Sequence, residues 1–286
     1  MSPYLLLLLA VACVSFGSIF VRFAQAPALA VAFYRIGFAS LLVAPFALRS
    51  ARRAWPGLDA RRRLLIAGAG LALALHFATW ISSLSYTSIA ASVLLVNLAP
   101  LFTLALSWAL LGERVGTLVL GALALALAGA VLIAADDWAG QAARPLLGDA
   151  LALAGAATLS IYHVVGRGLR AALPLAPYML LVWSCAAVAL ALIALAAGVP
   201  FAPYPTRTLA LFLALAVVPT LAGHGLVNRS LRQLSAPVVG LFLLGEPVGA
   251  TALGYLCFGE APGSLTLAGG LLVLVALALV AARPGR

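Results

Sequence analysis

Apolar runs of membrane length recur along the chain, separated by short charged or turn-rich breaks. Ten can be read, at 4–23, 28–48, 64–84, 89–111, 116–135, 147–166, 176–198, 208–228, 236–258 and 264–282. An apolar run of about 20 residues crosses the hydrocarbon core of a bilayer as a helix. Alanine and leucine fill several runs, and the short alternating segments of a barrel are missing, so the pattern predicts helices. The expected fold class is an all-α membrane protein with ten transmembrane helices.

One stretch of this pattern occurs twice. Pro100 to Glu113 reads PLFTLALSWALLGE, and 147 residues later Pro247 to Glu260 reads PVGATALGYLCFGE. Pro100/Pro247, Ala105/Ala252, Leu106/Leu253, Gly112/Gly259 and Glu113/Glu260 are identical, and Trp108 matches Tyr255. The same offset relates Pro27 to Pro174, each opening an apolar segment. The recurrence predicts two five-helix repeats, 1–135 and 146–286, within one transmembrane unit. Five is odd, so the second repeat enters the membrane in the opposite sense, and the repeats are expected to be inverted. The break between them, Asp136 to Pro145, is too short for a further domain.

Composition excludes a soluble domain. Hydrophobic residues make up 65% and charged residues 8%, against roughly 45–50% and about 25% in soluble proteins. A net charge of +10 raises the question of nucleic acid, but the arginines sort by membrane side and are not interleaved with exposed aromatics. With the N-terminus inside, thirteen arginines fall on the cytoplasmic side: Arg49, Arg52, Arg53, Arg61, Arg62, Arg63, Arg114, Arg167, Arg170, Arg229, Arg232, Arg283 and Arg286. Only Arg22, Arg144 and Arg207 fall outside. This bias predicts an inner-membrane protein with both termini cytoplasmic, its arginines setting topology and touching anionic headgroups. The first run lacks a basic residue before it and continues past Ala10-Val11-Ala12-Cys13, so it reads as a retained helix. Cys13, Cys185 and Cys257 lie in separate runs without metal or redox spacing.

Polar groups inside the bilayer carry the candidate chemistry. Glu246 stands mid-run before Pro247, which cannot donate an amide hydrogen and would free a carbonyl near Leu243. It is a candidate proton or ion site, or a protonated carboxyl bonded to a neighbouring helix. Arg35 is a candidate anion attractor, or a structural ion pair or carbonyl clamp. His76 opens a stripe with Thr79, Trp80 and Ser83 at spacings of three and four, one face of a helix. His224 and Asn228 form a similar pair, nearly equivalent to His76 in the repeat. His163 with Tyr162, and Asn97 with Thr103 and Trp108, are further candidates; Trp183 is deep enough to line a cavity. Glycines in 236–258, including Gly245 and Gly249, are expected to mark close helix packing. No catalytic constellation, phosphate loop or metal spacing is present, so no cofactor and no metal is expected.

Phe33-Tyr34-Arg35, Pro100 with Leu111-Gly112-Glu113, and Glu246-Pro247 with Phe258-Gly259-Glu260 resemble the EamA family of the drug/metabolite transporter superfamily. The resemblance covers nearly the whole chain. It implies an inner-membrane carrier with ten helices as inverted repeats around a central cavity. It also implies export, or less often uptake, of small metabolites such as amino acids, with protons as the coupling ion or no coupling. Glu113 and Glu260, at helix ends, are then assigned to structure or gating. The first half departs from the second in having Ala99 where Glu246 stands.

The leading expectation is therefore an alternating-access carrier whose cavity is lined by His76, Trp80, Asn97, His163, His224, Asn228 and Glu246. Its partners would be a small-molecule substrate, the lipid bilayer and protons, as a monomer or homodimer, with no nucleic acid. The competing expectations are an intramembrane enzyme acting on a lipid or polyprenyl substrate, and a non-transporting membrane scaffold.

Overall fold

The computed structural model describes residues 2–87, 92, 95–136, 145–259 and 263–282. Within them the chain forms α1 (Pro3–Ala24), α2 (Ala28–Ala54), α3 (Ala60–Ser83), α4 (Ala99–Leu111), α5 (Thr117–Asp136), α6 (Pro145–Ala172) and α7 (Leu175–Ala196). There follow α8 (Thr206–Ser230), α9 (Ala236–Leu243), α10 (Glu246–Phe258) and α11 (Ser264–Ala281). No strand occurs among the described residues. Eight of their helical stretches are long and apolar enough to cross a membrane, counting α9 with α10, and Ala99–Leu111 and Thr117–Gly129 are shorter apolar helices.

Prolines place several helix starts. Pro27 and Pro174 hold extended backbone immediately before α2 and α7. Pro3, Pro100, Pro237 and Pro247 occupy the first turn of their helices, where a missing amide hydrogen costs nothing because that position has no intrahelical acceptor.

The two expected runs 89–111 and 236–258 are not continuous helices. The second divides at a turn, Leu244–Gly245, into α9 and α10, and a turn at Asn97–Leu98 precedes α4. Proline clashes with the carbonyl four residues earlier and removes its donor, so Pro100 and Pro247 end the preceding helical turn. Glu246 is thus the first residue of α10, which corrects its expected mid-helix position. The halves agree closely here. Helices α4 and α10 each have 13 residues with proline second, and each ends at a left-handed glycine, Gly112 at φ 66° and Gly259 at φ 70°. That conformation is open to glycine because it lacks Cβ.

Packing crosses the halves. Helix α1 lies against α8, α9 and α10, while α6 lies against α3 and α4. Helix α2 pairs with α7, and α5 with α11. The first helix of each half is therefore embedded in the other half. Glycines permit the closest approaches: a Cβ on Gly129 would strike the Gly269 backbone, and one on Gly249 would strike Ser15. Within α8, Ala216–His224 is wound as a π-helix containing Pro219.

Candidate functional site

Pro219 initiates the local geometry of the site. It cannot donate to the Leu215 carbonyl one turn back, and the Thr220 hydroxyl donates there instead, at 2.8 Å. The same hydroxyl oxygen accepts from Arg35 Nε at 2.7 Å. The Arg35 guanidinium also lies 4.2 Å from the Phe77 ring centroid. Side chain and π-segment thus fix a nearly buried arginine, 2% exposed, in the interior. The neighbouring aromatics turn elsewhere. Tyr34 donates to the Phe201 carbonyl and stacks on Phe212, and Phe33 packs edge-on against Phe201, tying α2 to the loop before α8.

Arg35 faces a cavity enclosed by α1, α2, α3, α4, α6, α8, α9 and α10. Of the residues named from sequence, His76, Trp80, Asn97, His163, His224, Glu246 and Arg35 all line it, together with Thr103. His76 Nδ1 lies 3.0 Å from the Gly155 carbonyl; a carbonyl only accepts, so Nδ1 carries a proton. Its ring stacks on Trp80 at 5.9 Å between centroids, and Phe77 meets His224 edge-on at 5.7 Å.

The polar atoms of this cavity are mostly without protein partners. Ten buried side-chain nitrogen and oxygen atoms among the described residues have none. Six belong to cavity residues: Arg35 Nη1, Trp80 Nε1, Thr103 Oγ1, both nitrogens of His163, and His224 Nδ1. An unsatisfied buried polar group costs about 1–3 kcal/mol. Concentrating so many around one space marks it as a place for a polar guest.

Glu246 joins this group differently. It lines the cavity as the first residue of α10. Its backbone carbonyl, however, accepts from Ser15 Oγ at 3.3 Å, a hydroxyl shared with the Val11 carbonyl at 2.8 Å. The other half repeats the arrangement. Ser160 Oγ donates to the Ala99 carbonyl at 2.7 Å and to the Ala156 carbonyl at 2.8 Å. Each serine pins the first residue of the proline-started half-helix opposite it.

Several candidates lie outside the cavity. Asn228 is fully buried, exchanging hydrogen bonds with the Tyr162 hydroxyl at 2.8 and 2.6 Å. Thr79 bonds back to the Leu75 carbonyl and Ser83 to Ser92, so that face of α3 divides. Trp183 is buried away from the cavity, and Trp108 is 61% exposed. Glu113 forms an ion pair with Arg167 Nε at 2.8 Å, and its second oxygen lies 3.4 Å from the Ala236 amide that starts α9. Glu260 lies outside the described residues.

Sequence reading missed the internal work of two arginines. Arg170, 3% exposed, donates to the Asn228 and Leu173 carbonyls, and Arg167 Nη1 donates to the Leu231 carbonyl at 2.9 Å. The end of α8 leaves carbonyls without intrahelical donors, and these cations satisfy them. The expected headgroup contact is thus replaced at Arg170, and in part at Arg167, by bonds to helix-end carbonyls. Phe77, Thr220, Ser15 and Ser160 were also missed. The one signal for Thr220 was its place after an intrahelical proline.

A many-helix membrane fold around a buried polar cavity defines a class, the polytopic carriers. The profile of the EamA-like transporter family matches residues 1–135 and 146–282, and the chain belongs to that family. It is 28% identical over 264 residues to an uncharacterised transporter of Archaeoglobus fulgidus, covering 90% of this chain and 88% of that one. It is 26% identical over 255 residues to the pseudopaline exporter CntI of Pseudomonas aeruginosa, covering 88% and 86%. A protein crystal structure 20% identical in sequence superposes with a TM-score of 0.80 over 97% of this chain and 96% of the other, a likeness of fold. Family and relatives point to transport and not to catalysis.

Proposed function

We propose that the chain exports a small polar or amphipathic metabolite, such as an amino acid, across the inner membrane by alternating access. The observation that carries this reading is the ring of six partnerless buried polar atoms around a cavity to which both halves contribute. A scaffold gains nothing from such atoms. A carrier needs them to replace the hydration of its substrate. The exporter named among the relatives supports the direction.

In this reading the chain crosses the membrane ten times, with the fourth and ninth crossings broken at Pro100 and Pro247. Residues 1–135 and 146–286 are inverted repeats, both termini are cytoplasmic, and the carrier is a monomer or homodimer. His76, Trp80, Asn97, His163 and His224 contact substrate. Asn228, placed by the sequence in the same set, acts behind them by holding α6 to α8. The halves rock about the cavity, as inverted repeats do in other secondary carriers. Glu113 with Arg167 latches the cytoplasmic end, with Glu260 in the corresponding role outside. Glu246, the single carboxylate among the cavity residues, carries the coupling proton.

Flux in proteoliposomes across an amino-acid and nucleoside panel, with and without a pH gradient, tests the proposal. Glu246→Gln is expected to abolish gradient-driven accumulation while leaving counterflow measurable. Unchanged accumulation by that variant rules out the coupling role, and absence of flux for every compound rules out the transport reading.

A further inference from the structure

We infer that the C-terminal end of α2 holds one anionic phospholipid, its phosphate on Arg49, Arg52 and Arg53 and its acyl chains along Leu48, Pro45 and Leu41. The site lies outside the cavity and is independent of what the chain transports. Its assignment to the cytoplasmic leaflet alone follows from the topology proposed above.

The sequence divides this end of α2 into two faces. Ile36, Ala39, Val43, Ala47 and Ala51 are buried in the core, and their spacing of three or four puts them on one side of the helix. Leu41, Pro45, Leu48, Arg49, Arg52 and Arg53 are exposed and follow the same spacing on another side. The last five of these line one open groove along the helix. The buried face fixes the direction of the exposed one, which turns away from the bundle, where a membrane-spanning helix meets lipid. Apolar positions come first along this stripe and cations last. At 1.5 Å of rise per residue, Arg53 stands about 18 Å beyond Leu41. The stripe therefore runs from acyl-chain depth to headgroup level, the same order in which a phospholipid presents its parts.

The charge here is not balanced from within. Residues 49–63 hold six arginines and one carboxylate, Asp59. Asp59 accepts from the Arg62 amide at 2.7 Å as the N-cap of α3. The dipole of α2 places about half a negative charge at its C-terminus, a fraction of the three positive charges beside it. A phosphate diester supplies a full negative charge, with oxygens that match the planar fork of a guanidinium.

The remaining arginines expected at headgroup level do not share this arrangement. Arg63 lies 5.1 Å over the Trp55 ring and donates to the Trp55 carbonyl at 3.2 Å. Arg167 pairs with Glu113, and Arg170 donates inward. Arg49, Arg52 and Arg53 instead converge on a groove whose other walls, Pro45 and Leu48, are apolar. That combination favours a lipid over free phosphate, which gains nothing from apolar walls.

The test is native mass spectrometry of the purified full-length protein in detergent, titrated with phosphatidylglycerol or with phosphatidylcholine of the same acyl chains. One phosphatidylglycerol is expected to stay bound at concentrations about tenfold below those at which phosphatidylcholine does. Replacing the three residues together (Arg49→Gln, Arg52→Gln, Arg53→Gln) is expected to weaken phosphatidylglycerol binding at least about tenfold. Removing three exposed charges from other elements (Arg114→Gln, Arg229→Gln, Arg232→Gln) is expected to leave it nearly unchanged, because exposed charges are screened beyond about 10 Å. Equal retention of the two lipids by the wild-type protein overturns the inference, and that comparison needs no variant to fold. Equal losses in the two triple variants would show diffuse attraction and also overturn it. Displacement of the lipid by an equal concentration of sn-glycerol 3-phosphate would make the groove a soluble-phosphate site and overturn the lipid assignment.

Discussion

His163 and Asn228 are both buried polar side chains of neighbouring helices, and their environments assign them opposite roles. Both nitrogens of His163 lack protein partners, whereas Asn228 is bonded through its side chain to Tyr162 and through its carbonyl to Arg170. Removing a satisfied polar group breaks bonds; removing an unsatisfied one relieves a cost. His163→Phe is therefore expected to leave the melting temperature unchanged or raised while weakening substrate binding at least about tenfold. Asn228→Leu is expected to lower stability by about 1–2 kcal/mol, as intramembrane hydrogen bonds of this kind contribute, with substrate KM little changed. Melting curves with transport kinetics for both variants check the pair. The sequence marked both residues because intramembrane polarity is visible in one dimension. It could not separate them, because the distinction depends on Tyr162 and Arg170 meeting the end of α8. The inward bonds of Arg167 and Arg170 are hidden for a related reason: a charge at a run's end signals topology whether its side chain points to headgroups or folds inward.

At the scale of elements, the prolines were legible and their consequence was partly so. Pro247 foretold a freed carbonyl near Leu243, whereas Pro100 was legible only as its counterpart in the 147-residue recurrence, which pairs α4 with α10 down to their glycine caps. Glu246 at a helix start was not foreseen, since proline is compatible with a kink or a break and packing decides between them. The serine clamps were hidden by register. Ser15 and Ser160 stand 145 residues apart, not 147, because α1 and α6 are slipped by two residues relative to the elements they pin. The contact of α1 with α10 is sterically tight. A Cβ on Gly249 would collide with the Ser15 side chain, and overpacking of this kind costs about 1–3 kcal/mol. Gly249→Ala is expected to destabilise the protein by about that amount, and Ser15→Gly in the same chain to recover part of the loss. A thermodynamic cycle on the two positions checks this; strictly additive effects would show that the two sites do not press on each other.

At the scale of the whole molecule, the halves interlock. Helix α1 is embedded among α8, α9 and α10, and α6 packs against α3 and α4, so residues 1–135 and 146–282 do not pack as two separate bodies. The cavity lies where both halves meet, and the Glu113–Arg167 pair, reaching also to the start of α9, ties together one end of the bundle. The all-helical, membrane-length character was legible in the sequence because it rests on hydrophobic runs. Of the ten runs read there, eight correspond to helices long and apolar enough to cross a membrane among the described residues. The sequence did not convey which helices exchange between halves, since apolar alanine- and leucine-rich faces pack equally well against many neighbours. The central claim is that this buried cavity opens in turn to both sides of the membrane. Thr103, whose hydroxyl lines the cavity without a partner, offers the most direct test. In a chain with Cys13, Cys185 and Cys257 replaced, Thr103→Cys should react with a membrane-impermeant thiol reagent applied to either side of reconstituted vesicles, and a transported compound should slow both reactions. Reaction from one side alone, or from neither, would contradict alternating access through this cavity.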